Sequence, residues 1–374
     1  MYVNADGSVL PCCIAEHHQH MGNVQQNKIV EIWNDDAYKT MRKKMLAGEQ
    51  CSQCTACYKT EEEGGWSFRQ SITKQFAEYA HYADKTNADG SLDEMNLHYF
   101  DVRWSNICNF KCRSCSSTYS SSWAKEDGKD DVFIFAGGKN NDDLYEQFKP
   151  HLQNMKEVYF AGGEPLLMDK HYEILEHLIA IGKTDVKLRY NTNLSNLAYK
   201  KKSVLDYWKQ FSNVTVFASL DSWGERAEYI REGTVWADIE ENIKTIQRET
   251  PHVRLGVSSV ISAFNVGSLV PFIDNITTLM GNDVMLNFYN IINPNYYSFN
   301  ILPAELLDDI VFKLGLIKYN STIDQQIKNV IEALKASQYD PTLHYEFIQK
   351  TMHYDNLRNK KFSETFPELK ELML

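Results

Sequence analysis

The sequence predicts an α/β fold: a partial (β/α)6 TIM-like barrel between a small N-terminal cysteine-rich module and a C-terminal helical tail. Three observations predict it. From about residue 97, six short segments rich in β-branched or aromatic residues recur, and each ends in polar or Gly residues. Helical segments fall between them, the succession that builds a parallel sheet with helical crossovers. Six such units fall short of the eight that close a barrel.

Taken in order, "VNADGSVLP" reads as a hairpin about Asp6-Gly7. "KIVEIWNDDAYKTMRKKMLAGE" reads as one helix with Ile29, Ile32, Trp33, Tyr38, Met41 and Met45 apolar, closed by Gly48. With "CSQCTAC" these make a module over residues 1–70. Residues 71–96 read as a polar helix and linker with a turn at "NADGS". The barrel spans 97–295. Its strands are "YFDVRWS", "EVYFAG", "VKLRYNT", "VTVFASLD", "VRLGVSSVI" and "VMLNFYNI". "KHYEILEHLIAIG", "SVLDYWKQF", "ADIEENIKTIQRE" and "SLVPFIDNITTLM" supply helices between them. Residues 128–150 read as an insertion after the first helix, and 296–374 as the helical extension.

At 374 residues, 43% hydrophobic and 12% aromatic, the chain can bury a sizeable core and is unlike a disordered one. A net charge of -11 argues against nucleic acid as the main partner. No apolar run reaches the length of a membrane span and no secretory leader opens the chain, so a cytoplasmic protein is expected. Five of the eight cysteines lie in the first 57 residues (Cys12, Cys13, Cys51, Cys54, Cys57) and three at Cys108, Cys112 and Cys115. Gaps of two and three residues in a long chain favour metal over disulfides.

In a parallel barrel the working residues sit at the C-terminal ends of the strands. The first strand leads into "CNFKCRSC", and the second ends "AGGEP", with Gly162, Gly163 and Glu164. Glycines there let backbone approach a ligand, and Glu164 offers an acceptor for an ammonium group. The third strand ends with Thr192 and Asn193, the fourth with Ser219 and Asp221, and Arg226 and Arg231 follow. Each alone has a plain reading as a turn, a cap or a surface charge. Four consecutive strand ends carrying thiols, a glycine–acid turn, hydroxyl and amide groups and an arginine point to one rim with chemistry. Tyr99, Arg103, Tyr190, Asn287 and Tyr289 read as barrel packing.

Over roughly residues 97–292 this combination resembles the radical S-adenosylmethionine (SAM) enzymes, on the CxxxCxxC of "CNFKCRSC" and on "GGEP". The resemblance implies that Cys108, Cys112 and Cys115 hold three irons of a [4Fe–4S] cluster. The fourth iron would chelate the amino and carboxylate groups of SAM, whose reductive cleavage gives a 5′-deoxyadenosyl radical that takes hydrogen from substrate. It places Gly162, Gly163 and Glu164 at the methionine amino group, Asn193 and Ser219 at the ribose, and Arg231 at the methionine carboxylate. Ser114 stands where the family often has an aromatic residue against adenine; Phe110 or an aromatic elsewhere is expected to replace it.

Residues 1–60 resemble the Twitch/SPASM auxiliary-cluster module on "GSVLPCC", "GN", "EIWN" and "CSQCTAC", here ahead of the barrel rather than after it. That resemblance implies a second [4Fe–4S] cluster on Cys51, Cys54 and Cys57 with Cys12 or Cys13. Four thiolates also suit structural zinc, and His17, His18 and His20 offer nitrogen ligands, although a solvated loop suits those histidines better. By family analogy the substrate is a peptide or protein side chain, oxidised or cross-linked, and the electron source a flavodoxin or ferredoxin. A sugar or nucleotide-derived small molecule, epimerisation through a spare Cys12 or Cys13 thiol, and a non-catalytic electron-transfer protein are the alternatives.

Overall fold

The computed structural model describes residues 1–62, 64–129, 134–138 and 140–374. The expected hairpin forms from β1 (Tyr2–Val3) and β2 (Ser8–Leu10), with Gly7 at φ +81° in its turn, and β3 (Gly22–Asn23) pairs antiparallel with β2. The single helix expected from Lys28 is two, α1 (Ile29–Trp33) and α2 (Asp36–Leu46). The break is local chemistry. Asp35 stays extended and its carboxylate accepts the Asp36 N–H at 2.8 Å, so the chain restarts with a capped N-terminus instead of continuing. Met45 consequently lies exposed. Next come α3 (Thr55–Glu62) and α4 (Phe68–Gln75), the latter opened by a capping box at Ser67.

The remaining elements follow the expected alternation. They are β4 (Tyr99–Val102), β5 (Lys111–Cys112), α5 (Ser121–Glu126), α6 (Asp142–Phe148), β6 (Glu157–Phe160), α7 (Asp169–Ala180) and β7 (Lys187–Thr192). A short ribbon, β8 (Ala198–Tyr199) with β9 (Lys202–Ser203), precedes α8 (Val204–Trp208) and β10 (Val214–Ser219). Then come α9 (Gly224–Ile230), β11 (Arg231–Glu232), α10 (Trp236–Glu249), β12 (Arg254–Ile261), α11 (Leu269–Met280) and β13 (Met285–Asn290). The tail holds α12 (Ala304–Gly315), α13 (Ser321–Ala336), α14 (Pro341–Arg358) and α15 (Phe362–Thr365). All six expected strands form. Residues 130–133 and 139 of the expected insertion lie outside the described residues.

The chain divides into two compact units that cut across the expected segments 1–70, 71–96, 97–295 and 296–374. The first comprises Met1–Asn106, Phe133–Gly163 and Met168–Leu188. Its strands run in the order β6-β4-β1-β2-β3. β1 pairs parallel with β4, Tyr2 opposite Asp101 and Val3 opposite Val102, so the cysteine module and the first barrel strand share one sheet. His171 on α7 is 1% exposed, set edge-on to Phe160 and Tyr172. Burial lowers its pKa from 6.5 to about 3. A histidine held neutral in the fold but free to protonate when unfolded stabilises fully above pH 6.5, and that contribution is lost as pH falls towards 3. The expected loss is on the order of 3 kcal/mol by pH 4. Urea midpoints measured from pH 7 to 4 should fall in the wild type and fall less in His171→Gln.

The second unit comprises Ile107–Val132, Glu164–Leu167 and Arg189–Leu374. Its strands run β7-β10-β12-β13, the last three parallel. One face of these strands, with Val216, Ala218, Val257 and Leu286, is buried. The other carries a polar row, Ser219 beside Ser258 beside Asn287, near the strand ends. Within this unit α13 packs on β13, and α14 covers the turns after it. Among the described residues no helix is long and apolar enough to cross a membrane.

Candidate functional site

The three-cysteine loop is fastened from several sides within the second unit. β5 pairs antiparallel with β11, which sets Cys112 opposite Arg231. The Phe110 N–H points at Cys108 Sγ (3.4 Å), and the Cys115 N–H closes a turn on the Cys112 carbonyl (3.0 Å). Downstream, Ser120 Oγ donates to the Phe110 carbonyl (2.6 Å), Ser122 Oγ to the Cys108 carbonyl (2.8 Å) and Trp123 Nε1 to the Cys112 carbonyl (2.7 Å). The serines and Trp123 were legible only as a helix start; their work on the loop is tertiary. Phe110 is 1% exposed, and Gly233 leaves no room for a side chain beside its ring. Its ring is therefore core and offers no face to an adenine.

Glu164 and Asn193 sit in a closed hydrogen-bond net. The Glu164 N–H donates to the Ile107 carbonyl (2.7 Å), tying the "GGEP" turn to the residue before Cys108. The Glu164 carboxylate, 2% exposed, accepts from Thr192 Oγ1 (2.7 Å), the Asn193 N–H (2.7 Å) and the Leu166 N–H (3.0 Å). Burial raises its pKa from 4.5 to about 7, against the pull of those three donors. The carboxylate expected to meet an ammonium group thus already accepts three hydrogen bonds, from its own turn and the end of β7. Asn193 donates to Asn109 Oδ1 (2.8 Å) and accepts from Ser195 Oγ (2.7 Å), while Asn109 donates to Ser195 Oγ (3.0 Å). Asn109 had carried no role in the sequence reading. In the first unit, Gly162 and Gly163 have φ of +80° and +51°. A Cβ on Gly162 would fall 2.4 Å from Arg103 Cδ, so position 162 demands glycine.

Arg231 is held by Asp221 through two contacts of 2.9 Å, Nε to Oδ2 and Nη2 to Oδ1. Asp221 is 1% exposed and also accepts the Val260 N–H at 2.8 Å. The remaining Arg231 nitrogen, Nη1, faces Cys112 Sγ at 3.8 Å. Ser219 ends β10, half-buried in the polar row.

Burial and then mutual repulsion push these thiols up: Cys115 to about 12, Cys108 further, with Cys112 the largest charged neighbour of both. Cys112 is also raised by burial, with Arg231 pulling the other way. Three neighbouring thiols, Cys112 buried and Cys108 and Cys115 partly so, that oppose ionisation of the set, with a guanidinium beside one of them, are a donor set that needs positive charge to become thiolates. A cluster's irons supply it, so the residues fit a [4Fe–4S] group.

The first unit holds the second cysteine group. Cys12, Cys54 and Cys57 line one cavity of about 180 Å³ with Met41 and Phe68. Burial raises Cys54 to about 11, and Cys51, Cys12 and Cys57 each push it further. Cys51 is buried and its thiol donates to the Met41 carbonyl (3.7 Å). Cys13 is exposed, and so are His18 and His20. Among the described residues no three His, Cys, Asp or Glu side chains meet at a single-ion site. In a cluster each thiolate binds its own iron, so the ligands need not converge on one point.

Residues 102–263 match the model of the radical SAM superfamily, and residues 1–58 that of SPASM, an iron–sulfur cluster-binding domain. A search of curated proteins returned no match. Among solved structures, native anSMEcpe with bound AdoMet and Cp18Cys peptide aligns at 16% identity and TM-score 0.42, over 59% of this chain and 60% of that one. Native anSMEcpe with bound AdoMet aligns at 16% and 0.42, over 66% and 63%. TYW1 with a lysine–pyruvate adduct aligns at 12% and 0.33, over 65% and 72%. The chain thus spans about three-fifths of the first of these relatives. Residues 102–263 are thus a radical SAM domain, and residues 1–58, ahead of it, an iron–sulfur cluster-binding SPASM domain.

Proposed function

We propose that the chain reductively cleaves SAM and abstracts hydrogen from a peptide or protein side chain, for oxidation or cross-linking. The observation that carries this is the loop that brings together three thiols, Cys112 buried and Cys108 and Cys115 partly so, with Arg231 aimed at Cys112. Cys108, Cys112 and Cys115 would hold the [4Fe–4S] cluster that binds SAM. With SAM and one electron, that group supplies a 5′-deoxyadenosyl radical. The chain's own residues hold the site in shape. Asp221 fixes Arg231, leaving Nη1 directed at the loop for a carboxylate. Gly162 and Gly163 keep main chain bare of side chains where an amine is to approach. Asn193 and Ser219 stand for the ribose, Asn193 already braced by Asn109.

In the SPASM domain, Cys12, Cys51, Cys54 and Cys57 would hold the auxiliary cluster, with Cys13 outside the ligand set. Such a cluster can take the second electron of a substrate oxidation, which favours net removal of two hydrogens. A flavodoxin or ferredoxin would supply the first electron. The test incubates the reconstituted, reduced chain with SAM and candidate peptides, with sugars and nucleotides as competitors. Peptide-stimulated 5′-deoxyadenosine with a product lighter by two hydrogens supports the reading. Stimulation by the small molecules alone overturns the peptide assignment.

A further inference from the structure

We propose that α14, which lies outside both matched domains, positions the cluster loop, with Asp355 and Arg358 as positioning residues. This rests on the reading of Cys108, Cys112 and Cys115 as the SAM-binding cluster's ligands. Each residue of the tripeptide Lys111–Cys112–Arg113 is tied to this helix, the first tie through Asp355 and the other two sharing Arg358.

The first runs through Arg113, the residue between two of those ligands, whose side chain is 1% exposed. Its Nη2 donates to Asp355 Oδ1 at 2.6 Å, its Nε to the Tyr229 carbonyl at 3.3 Å, and its guanidinium lies 3.8 Å over the Tyr229 ring. Asp355 also accepts from Tyr229 Oη and the Phe362 N–H, both at 2.6 Å, so both carboxylate oxygens are fixed. The second tie runs through Glu126, whose side chain is 7% exposed. It pairs with Lys111 at 2.6 Å and with Arg358 at 2.7 Å. The third is aromatic. Trp123, which donates to the Cys112 carbonyl, meets Tyr354 edge-on at 5.0 Å, and the Arg358 guanidinium lies 5.0 Å over the Trp123 ring.

The energetics favour position over simple adhesion. A buried ion pair contributes little net stability, but losing one partner leaves the other charge uncompensated. Here the charge left behind would be Arg113, next to two cluster ligands. Net charge near a cluster sets its reduction potential, and extra positive charge favours the reduced state. Asp355 is therefore poised to tune the cluster as well as to seat the loop.

The test compares wild type, Asp355→Asn and Phe347→Ala, each as the full reconstituted chain. Phe347 is a fully buried α14 residue with no charge, so its variant reports loss of helix packing alone. The readouts are iron release to a chelator, cluster potential, and the change in the reduced cluster's EPR signal on adding SAM. In Asp355→Asn the SAM-responsive cluster should release iron about tenfold faster, as loss of outer-shell partners typically does. Its potential should rise, with the auxiliary signal unchanged. Phe347→Ala should lower the melting temperature without moving the potential. Wild-type release and potential in Asp355→Asn, or the same shift in Phe347→Ala, would overturn the proposal. A wild type whose EPR signal ignores SAM would overturn the parent reading, and this one with it, before any variant is compared.

Discussion

Replacing Cys108, Cys112 and Cys115 together by Ala should abolish SAM cleavage while leaving about four irons and matching sulfide per chain, roughly half the wild-type content. The expectation follows from how the thiols are housed. All three are held above their ordinary pKa by burial first, and Cys108 and Cys115 next by Cys112, so none serves as a lone surface thiol. The loop's carbonyls are already satisfied by Ser120, Ser122 and Trp123, so the variant should keep its fold. The iron that remains reports on the SPASM domain alone. About one zinc and no sulfide in the variant would instead make that domain a structural clasp. The electron-acceptor role would then be lost and redox-neutral chemistry favoured.

The two adjacent cysteines of the N-terminal module should behave oppositely. Cys12→Ser should lose most of the auxiliary cluster, whereas Cys13→Ser should retain it, as read by iron, sulfide and the EPR signal that does not respond to SAM. Cys12 lines the cavity of Cys54 and Cys57, and it acts on Cys54. Cys13 is exposed. Equal loss in both variants, or loss in Cys13→Ser alone, would reverse the assignment. The same pair tests the epimerase alternative. A Cys13 required for turnover but not for iron would favour it.

The strands were legible because each is a short β-rich run with polar or Gly residues at its end, and backbone propensity there agrees with burial. The break at Asn34–Asp35 was not, because a capping carboxylate and a continuing helix draw on the same residues, and one hydrogen bond decides between them. At the site, spacing alone marked the three thiols as one candidate ligand set. What Glu164 does was not legible. Its partners Thr192 and Asn193 lie 28 and 29 residues away, and only the fold shows that they donate to it. Arg113 read as an unremarked residue inside a motif, since Asp355 is 242 positions downstream. The parallel pairing of β1 with β4 was hidden for the same reason: two short edges separated by most of a domain carry no local signal.

The most direct measurement is 5′-deoxyadenosine formed from SAM by the reconstituted, dithionite-reduced chain, held anaerobically beside its triple Cys108, Cys112 and Cys115→Ala variant. Formation by the wild type and none by the variant is the predicted result. No product from a wild type carrying its full complement of iron and sulfide would contradict the enzyme reading and leave an electron-transfer protein in its place.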